Sequence, residues 1–271
     1  MIIQAGYKIS FQCPARTPML LQLNVHPSRL SDLQSPDVIK SDPPLEMSGY
    51  TDHYGNRVTR LEAPAGLVTF ENRFEIYDSG QPDEIPPSHE LTPIPNLPDD
   101  VLLYLVSSRY CDSDALANFA WSKFQNISGG YARVQAICDY VQRRIAFDYQ
   151  QARATRTAWE AWNECAGVCR DYAHLAIAFC RCMNIPARYC TGYLGDMGTL
   201  PPYGVGDFAA WIEVYLGGEW HIFDPRNNVP RIGRVLLARG RDAADVAIAT
   251  TFGPNILESF RVWTDEVPEN A

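Results

Sequence analysis

Short runs of alternating apolar and polar residues dominate the first 77 positions, and a period of two is typical of β-strands with one buried face. The clearest runs cover residues 7–11, 20–25 and 69–76. Turn-forming groups such as His26-Pro27-Ser28 and Tyr54-Gly55-Asn56 stand between them. We therefore predict an N-terminal antiparallel β-domain, sandwich-like in form, over residues 1–77.

Residues 78–100 have a different composition, with six prolines among several acidic residues. Proline has no backbone N–H and a fixed φ, so a proline-rich segment cannot continue a helix or a central strand. We predict an extended linker over these residues.

Beyond the linker, the spacing of apolar residues becomes helical. The first helical stripe consists of Val134, Ile137, Cys138, Val141 and Ile145. Further helices are predicted over residues 157–164 and from about Cys169 to residue 183. A strand at 187–193, a Gly/Pro-rich loop at 195–206 and two strands joined by Gly217-Gly218 follow. Helices followed by an antiparallel sheet predict an α+β core domain over residues 101–271.

Charge and hydropathy exclude several classes of partner. The formal net charge is −9 and the pI is about 5.0, so a broad cationic surface for nucleic acid or anionic lipid is not expected. The N-terminus has no basic, apolar leader pattern, and no apolar run is long enough to span a bilayer. We predict a cytoplasmic protein that binds neither nucleic acid nor membrane.

Eight cysteines raise the alternatives of disulfides, metal ligation or redox chemistry. Most lie in or beside apolar periodic segments, which favours reduced, buried thiols. The Cys165-x3-Cys169 and Cys180-x-Cys182 pairs lack the two-residue gap typical of zinc sites. We predict no metal and no organic cofactor, and keep a redox or metal-binding protein as the weaker alternative.

Cys169 has the setting of a nucleophile. It follows Gly167-Val168 and opens a predicted helix. Unpaired backbone amides and the helix dipole at that position stabilise a thiolate.

The surrounding motifs carry a family resemblance. They are Gly167-Val168-Cys169-Arg170-Asp171-Tyr172-Ala173-His174-Leu175, then Asn184-Ile185-Pro186-Ala187-Arg188-Tyr189, Gly192-Tyr193, Ala210-Trp211-Ile212-Glu213-Val214-Tyr215-Leu216 and Trp220-His221-Ile222-Phe223-Asp224-Pro225. In order and content they resemble the bacterial transglutaminase-like proteins over about residues 130–228. The N-terminal β-domain also resembles one that often precedes this core. The resemblance implies a papain-like core in which helices pack on an antiparallel sheet.

The resemblance further implies a Cys-His-Asp triad, in which the thiolate attacks an amide or ester, histidine acts as base and acid, and aspartate orients the imidazole. Cys169 and Asp224 occupy the first and third positions, but the position of the histidine is Ala209. The triad is therefore incomplete. Four further residues are candidates for binding substrate or completing the oxyanion site: Trp211, Arg226, Tyr193 and Asp207.

Other histidines do not fill the gap. A hairpin turn at Gly217-Gly218 places His221 on the sheet face opposite Asp224. His174 lies about 140° around the helix from Cys169, which predicts a structural role. The remaining three are predicted to lie on the surface: His26, His53 and His89.

Two carboxylates share the predicted face of Ala209. Asp207 is a poor base for a thiol unless burial raises its pKa, and Glu213 is predicted to pair with an arginine. Arg226 either holds a substrate carboxylate or neutralises Asp224. The arginine-rich segment 231–245 is predicted to be a solvated face that pairs internally with its own acidic residues.

Two functions remain open. The first is an enzyme of acyl transfer or amide and peptide hydrolysis, acting on a peptide or amide and impaired at Ala209 by natural variation or by an inactivating replacement. The second is a catalytically silent module that binds a peptide or amide in the same cleft. Relatives of the family are often encoded beside ATP-grasp and α-helical proteins, which implies protein partners in peptide or amide metabolism.

Overall fold

A computed structural model of the chain describes residues 1–85, 90–200 and 206–268. The strands are β1 (Ile2–Cys13), β2 (Thr17–Leu21), β3 (Lys40–Asp42), β4 (Ser48–Thr51), β5 (Arg57–Ala63), β6 (Gly66–Tyr77), β7 (Ala146–Phe147), β8 (Ala166–Gly167), β9 (Ala187–Leu194), β10 (Phe208–Leu216), β11 (Glu219–Phe223), β12 (Arg234–Gly240), β13 (Ala249–Thr251) and β14 (Ile256–Val267). The α-helices are α1 (Asp99–Leu102), α2 (Ser113–Phe124), α3 (Gly130–Arg144), α4 (Ala158–Glu164) and α5 (Cys169–Cys182). Short 3-10 helices cover Pro27–Asp32, Ile94–Asn96, Leu103–Leu105 and Tyr149–Gln151.

Two antiparallel four-stranded sheets form the N-terminal part of the molecule, in the orders β14-β1-β6-β3 and β13-β2-β5-β4. Burial alternates along β6, where Phe70, Phe74 and Ile76 are almost fully buried while Glu71 and Arg73 are exposed. Burying a side chain of this size contributes roughly 1.5–3 kcal/mol, so the alternation itself drives the sheets together. The predicted N-terminal β-domain is confirmed.

The last two strands of the chain belong to these N-terminal sheets. β14 pairs with β1 from Ile2 opposite Val267 to Gln12 opposite Ile256, and β13 pairs with β2. The predicted boundaries, which assigned everything after residue 100 to the core domain, therefore differ from the structure. An alternating pattern identifies a strand but not its partner, because pairing over 250 residues leaves no local signal.

The second half is built around α5, which is buried along nearly its whole length. One side of α5 packs on the sheet β11-β10-β9-β12, and α2, α3 and α4 surround the rest of it. α5 ends where Asn184 adopts a positive φ of 58°, just before Ile185-Pro186. Helices on one side of an antiparallel sheet confirm the predicted α+β, papain-like class.

The β10–β11 hairpin has the register that its turn predicts. Gly217 and Gly218 have φ values of 60° and 97°, and Leu216 lies opposite Glu219. Positive φ at both central residues is the conformation that two-residue hairpins require. The turn thus fixes which β10 side chains face α5 and which face the opposite side of the sheet.

The remaining general expectations concern cysteines and membranes. All eight cysteines are free thiols, and only Cys165 and Cys169 are partly exposed. No helix in the described ranges is long and apolar enough to cross a bilayer.

Candidate active site

Cys169 is the first residue of α5, and a buried ion pair fixes the backbone in front of it. The Asp171 carboxylate accepts a hydrogen bond from the N–H of Val168 (2.8 Å) and another from Arg156 Nη1 (3.0 Å). A Cβ at Gly167 would lie 2.5 Å from Asp171 Oδ2, so only glycine fits there. The backbone of Gly167 and Val168 therefore fixes the position of the Cys169 sulfur.

The Cys169 thiol is only partly exposed and is protonated at neutral pH. Burial raises its pKa to about 11, and the charge of Asp207 acts in the same direction. Arg226 and the backbone N–H groups of Ala210 and Arg170 lower the pKa but do not offset burial. The helix N-terminus alone does not produce a thiolate here.

A cavity of about 740 Å³ extends from the thiol. Four of the predicted site residues line it together: Cys169, Asp207, Ala209 and Arg226. Residues 262–266 of β14 and residues 194–199 form further parts of its lining. The cavity is large enough for a peptide side chain with its flanking backbone.

Ala209 lies on the face of β10 that also carries Trp211. Its alternating neighbours, Ala210 and Ile212, pack in the core around α5, whereas Ala209 packs in a cluster with Trp211. Ile212, the residue after Trp211, lies opposite Phe223. Asp224, the residue after Phe223, therefore lies beside Trp211 on the same face of the sheet. The structure thus puts a methyl group beside both the Cys169 cavity and the Asp224 side of the sheet.

Asp224 is buried behind this cavity and lines a separate one of about 230 Å³. Its Oδ1 accepts backbone N–H groups from Arg226 (3.2 Å) and Asn227 (2.9 Å). Its Oδ2 accepts Asn227 Nδ2 and Arg234 Nη2, both at 2.7 Å. A carboxylate has about four acceptor sites, so these donors occupy all of them.

The pKa of Asp224 reflects these partners. Burial by itself raises it, but Arg234 and the Asn227 donors outweigh burial, and the pKa is lowered. Asp224 therefore carries a charge that is already balanced by the protein, with no acceptor site left for an imidazole.

Arg234 is the residue that sequence reasoning missed. It is 6% exposed, and its Nε donates to Asp83 Oδ2 (2.8 Å) while its Nη2 reaches Asp224. Its guanidinium also lies 5.1 Å from the Trp211 ring. The prediction of a solvated face over 231–245 is wrong, since Ala244 is the only exposed residue of that segment, although Arg241 does pair with Asp245 as expected (2.9 Å). The sequence feature that could have identified Arg234 as a buried residue is its position directly before the apolar run 235–238.

Asp83 also changes the account of the predicted linker. It accepts the backbone N–H of Arg231 (2.9 Å) as well as the Arg234 side chain. The segment 78–85 is therefore anchored by a buried ion pair to the half of the molecule that carries Cys169. Pro86, Pro87 and His89 lie outside the described residues.

Besides Asp224, two predicted site residues do not reach the Cys169 cavity. Trp211 is 1% exposed and packs against Cys190 and Leu236. Tyr193 is fully buried in the core between the sheets, with its ring 5.7 Å from that of Phe74. Burial on these sides removes both from direct contact with a substrate in the cavity.

Asp207 and Arg226 are the charged groups beside the thiol. Burial raises the pKa of Asp207, although the N–H of Phe208 (2.7 Å) and Arg226 oppose the change. The Arg226 guanidinium stacks 4.0 Å from the Phe147 ring centroid. No carboxylate within the described ranges forms an ion pair with Arg226 inside 4 Å, and Arg234 is the residue that neutralises Asp224.

Most of the other candidate bases have the structural roles that were predicted for them. Glu213 binds Arg188 at 2.5 Å, and His221 lies opposite Val214, away from Asp224. His174 is fully buried between tyrosine rings, and burial lowers its pKa well below the ordinary range. His26, in contrast, is not a surface residue: it is 7% exposed and caps the 3-10 helix Pro27–Asp32 by accepting the N–H of Ser28.

The family model of the transglutaminase-like superfamily matches residues 118–225. The crystal structure of a candidate cysteine protease from Cytophaga hutchinsonii is 31% identical, with a TM-score of 0.83 over 100% of this chain and 92% of that one. An uncharacterised protein of Mycobacterium leprae is 38% identical over 91 residues, and one of Mycobacterium tuberculosis is 34% identical over 119 residues. The chain spans about a third of the length of these curated relatives (32% and 37%).

Proposed function

Because the chain belongs to the transglutaminase-like superfamily, we propose that Cys169 is the acyl-accepting thiol of a cleft for peptide or amide substrates. The chemistry of such a cleft is acyl transfer or amide hydrolysis, and turnover by this chain is impaired. The observation that carries the proposal is the shared cavity of Cys169 and Ala209, in which a thiol at a helix start lies beside an alanine.

The impairment follows from the proton on the thiol. With a pKa of about 11, roughly one Cys169 in 10⁴ is a thiolate at pH 7, against about 3% for an ordinary cysteine. General-base assistance by a positioned side chain is typically worth about 10²–10⁴ in rate. An alanine supplies none of this, so attack on an unactivated amide is slow while attack on an activated ester is still feasible.

A specific observation supports the second function, a binding module without turnover. Asp224 has all of its acceptor sites occupied, one of them by Arg234. An orienting carboxylate needs a free acceptor site for the imidazole N–H. A site whose orienting carboxylate is bound to an arginine binds the acyl chain but lacks the groups that rapid transfer requires.

Acylation by an activated ester separates the two functions. A p-nitrophenyl ester of an N-acylated glutamine should give a burst of about one equivalent of nitrophenolate, followed by slow turnover, and a mass increase confined to Cys169. Cys169→Ala should abolish the burst, whereas Cys165→Ala, the other partly exposed thiol, should retain it. Saturable binding of the corresponding glutamine amide with no burst would support the silent module, and neither burst nor binding would refute both.

We also propose the cytoplasm as the compartment. Eight unpaired cysteines fit a reducing environment, since extracytoplasmic proteins commonly oxidise such thiols. Protein partners in peptide or amide metabolism remain part of the proposal, to be tested by purification with the native binding partners.

A further inference from the structure

β14 is an edge strand with one unpaired side. It is the first strand in the order β14-β1-β6-β3, and one of its edges pairs with β1 along nearly its full length. Within the described ranges no strand pairs with its other edge. Residues 256–261 are all exposed, including Ile256 (63%), Leu257 (53%) and Phe260 (42%). Such an edge presents unpaired backbone N–H and C=O groups to any extended chain that approaches it.

The same strand forms a wall of the Cys169 cavity. Residues 262–266 line the cavity and follow the exposed segment without interruption. Because a strand rises about 3.3 Å per residue, Phe260 lies only about 7 Å along the strand from Val262. The Phe260 ring also lies 5.8 Å from that of Phe208, another residue of the cavity lining.

We propose that β14 is the docking strand for an extended polypeptide, whose backbone pairs with residues 256–261 and whose next residues enter the Cys169 cavity. The inference rests on the proposed function and specifies its substrate as a polypeptide rather than a small amide. Strand addition of this kind gives affinity through main-chain hydrogen bonds and specificity through alternate side chains.

The charges along this route favour a basic segment. Glu258 and Arg261 of the exposed segment offset each other, but four carboxylates line the cavity against two arginines: Asp196, Asp207, Asp265 and Glu266 against Arg226 and Arg231. Lysine or arginine in the docked peptide complements these carboxylates. A second copy of the chain is disfavoured, because each copy has a formal net charge of −9.

Alkylation of the thiol by a tethered peptide tests the inference. The probe is an N-chloroacetyl decapeptide of alternating valine and threonine with two lysines. Its alkylation forms an Sγ–C bond and releases chloride. We expect its second-order rate constant at Cys169 to exceed that of chloroacetamide by about tenfold or more, which corresponds to only a few added hydrogen bonds. The same peptide N-methylated on alternate amides cannot pair with the edge and should lose the advantage.

Matched variants locate the effect on the chain. In the double variant Leu257→Lys/Phe260→Lys, the ratio of the peptide rate to the chloroacetamide rate should fall to about one. Leu67→Lys is the control, since Leu67 is 54% exposed on β6 of the same sheet and lies away from the free edge. It should leave the ratio unchanged.

The outcomes distinguish this inference from the proposed function. If chloroacetamide fails to modify Cys169, the proposed nucleophile is wrong, and fluorescence polarisation with a fluorescein-labelled peptide then tests the edge independently of the thiol. If chloroacetamide reacts but the peptide gains nothing, or the N-methylated peptide gains as much, edge pairing is overturned. A concentration-dependent dimer that Leu257→Lys/Phe260→Lys dissociates would also overturn it, since the edge would then serve self-association.

Discussion

Replacing Ala209 with histidine should change the reactivity of the Cys169 thiol by an amount that follows from its surroundings. With a pKa of about 11, only about 0.03% of the thiol is ionised at pH 7.5. An imidazolium about 4 Å from the sulfur, at an effective dielectric constant near 20, stabilises the thiolate by about 4 kcal/mol, or about three pKa units. The thiol would then titrate near pH 8 and be about a quarter ionised at pH 7.5.

The rate of alkylation rises less than the ionised fraction of the Cys169 thiol does. Ionisation increases about 760-fold, but nucleophilicity falls with a Brønsted coefficient of about 0.4–0.5, which removes about 20-fold over three pKa units. We therefore expect Ala209→His to raise the rate of iodoacetamide alkylation at pH 7.5 by about 30-fold. Ala209→Gln adds similar bulk without a titratable group and should leave the rate within about threefold of the parent.

The assay is a pH–rate profile from pH 6 to 11.5, read at Cys169 by mass spectrometry. In the parent protein the logarithm of the rate should rise with unit slope to beyond pH 10, since burial holds the thiol in its protonated form. In Ala209→His a plateau should begin near pH 8. A parent profile that levels off near pH 8.5 would refute the buried thiol. Equal rates in the histidine and glutamine variants would refute the position assigned to the missing base.

Two further predictions concern the groups behind the cavity. Arg234→Met leaves Asp83 and Asp224 without their shared cation and should lower the free energy of unfolding in urea by about 3–5 kcal/mol. Arg241→Met, which breaks a more exposed pair, should cost about 1 kcal/mol or less, and equal losses would contradict the buried triad. Burial lowers the pKa of His174, so its neutral form stabilises the fold fully above pH 6.5, and this contribution is lost as the pH falls. His174→Gln should flatten the loss of stability between pH 6.5 and 4.5 in urea titrations; an unchanged slope would show that His174 is not responsible.

Local chemistry accounts for the parts of the fold and site that the sequence predicted. The Gly217-Gly218 turn sets the β10–β11 register, and that register alone predicts that His221 points away from Asp224. Cys169 was predicted as the nucleophile because it opens a predicted helix within motifs that resemble the transglutaminase-like family, and it is the first residue of α5. In each case the determining contacts lie within a few residues along the chain.

Contacts between distant segments account for what could not be predicted. Asp83 and Arg234 are 151 residues apart, and neither has a local pattern that identifies the other. The same applies to β14, whose alternation indicates a strand but not its partner β1. His26 was expected on the surface because no motif surrounds it, yet it is buried, and its backbone N–H donates to Leu236 O of β12 (2.9 Å).

The state of Asp224 bears on the origin of Ala209. If a single histidine had been removed from an otherwise complete triad, the orienting carboxylate would be left with an acceptor site directed at the lost imidazole, and a buried unsatisfied acceptor costs about 1–3 kcal/mol. Asp224 instead has each acceptor site filled, and Arg234, which fills one of them, is itself fixed by Asp83. The alanine and the arginine therefore form one consistent arrangement around the carboxylate. On this ground we propose a natural departure from the triad rather than an inactivating replacement, and we expect that restoring the histidine alone revives the thiol more readily than it revives turnover.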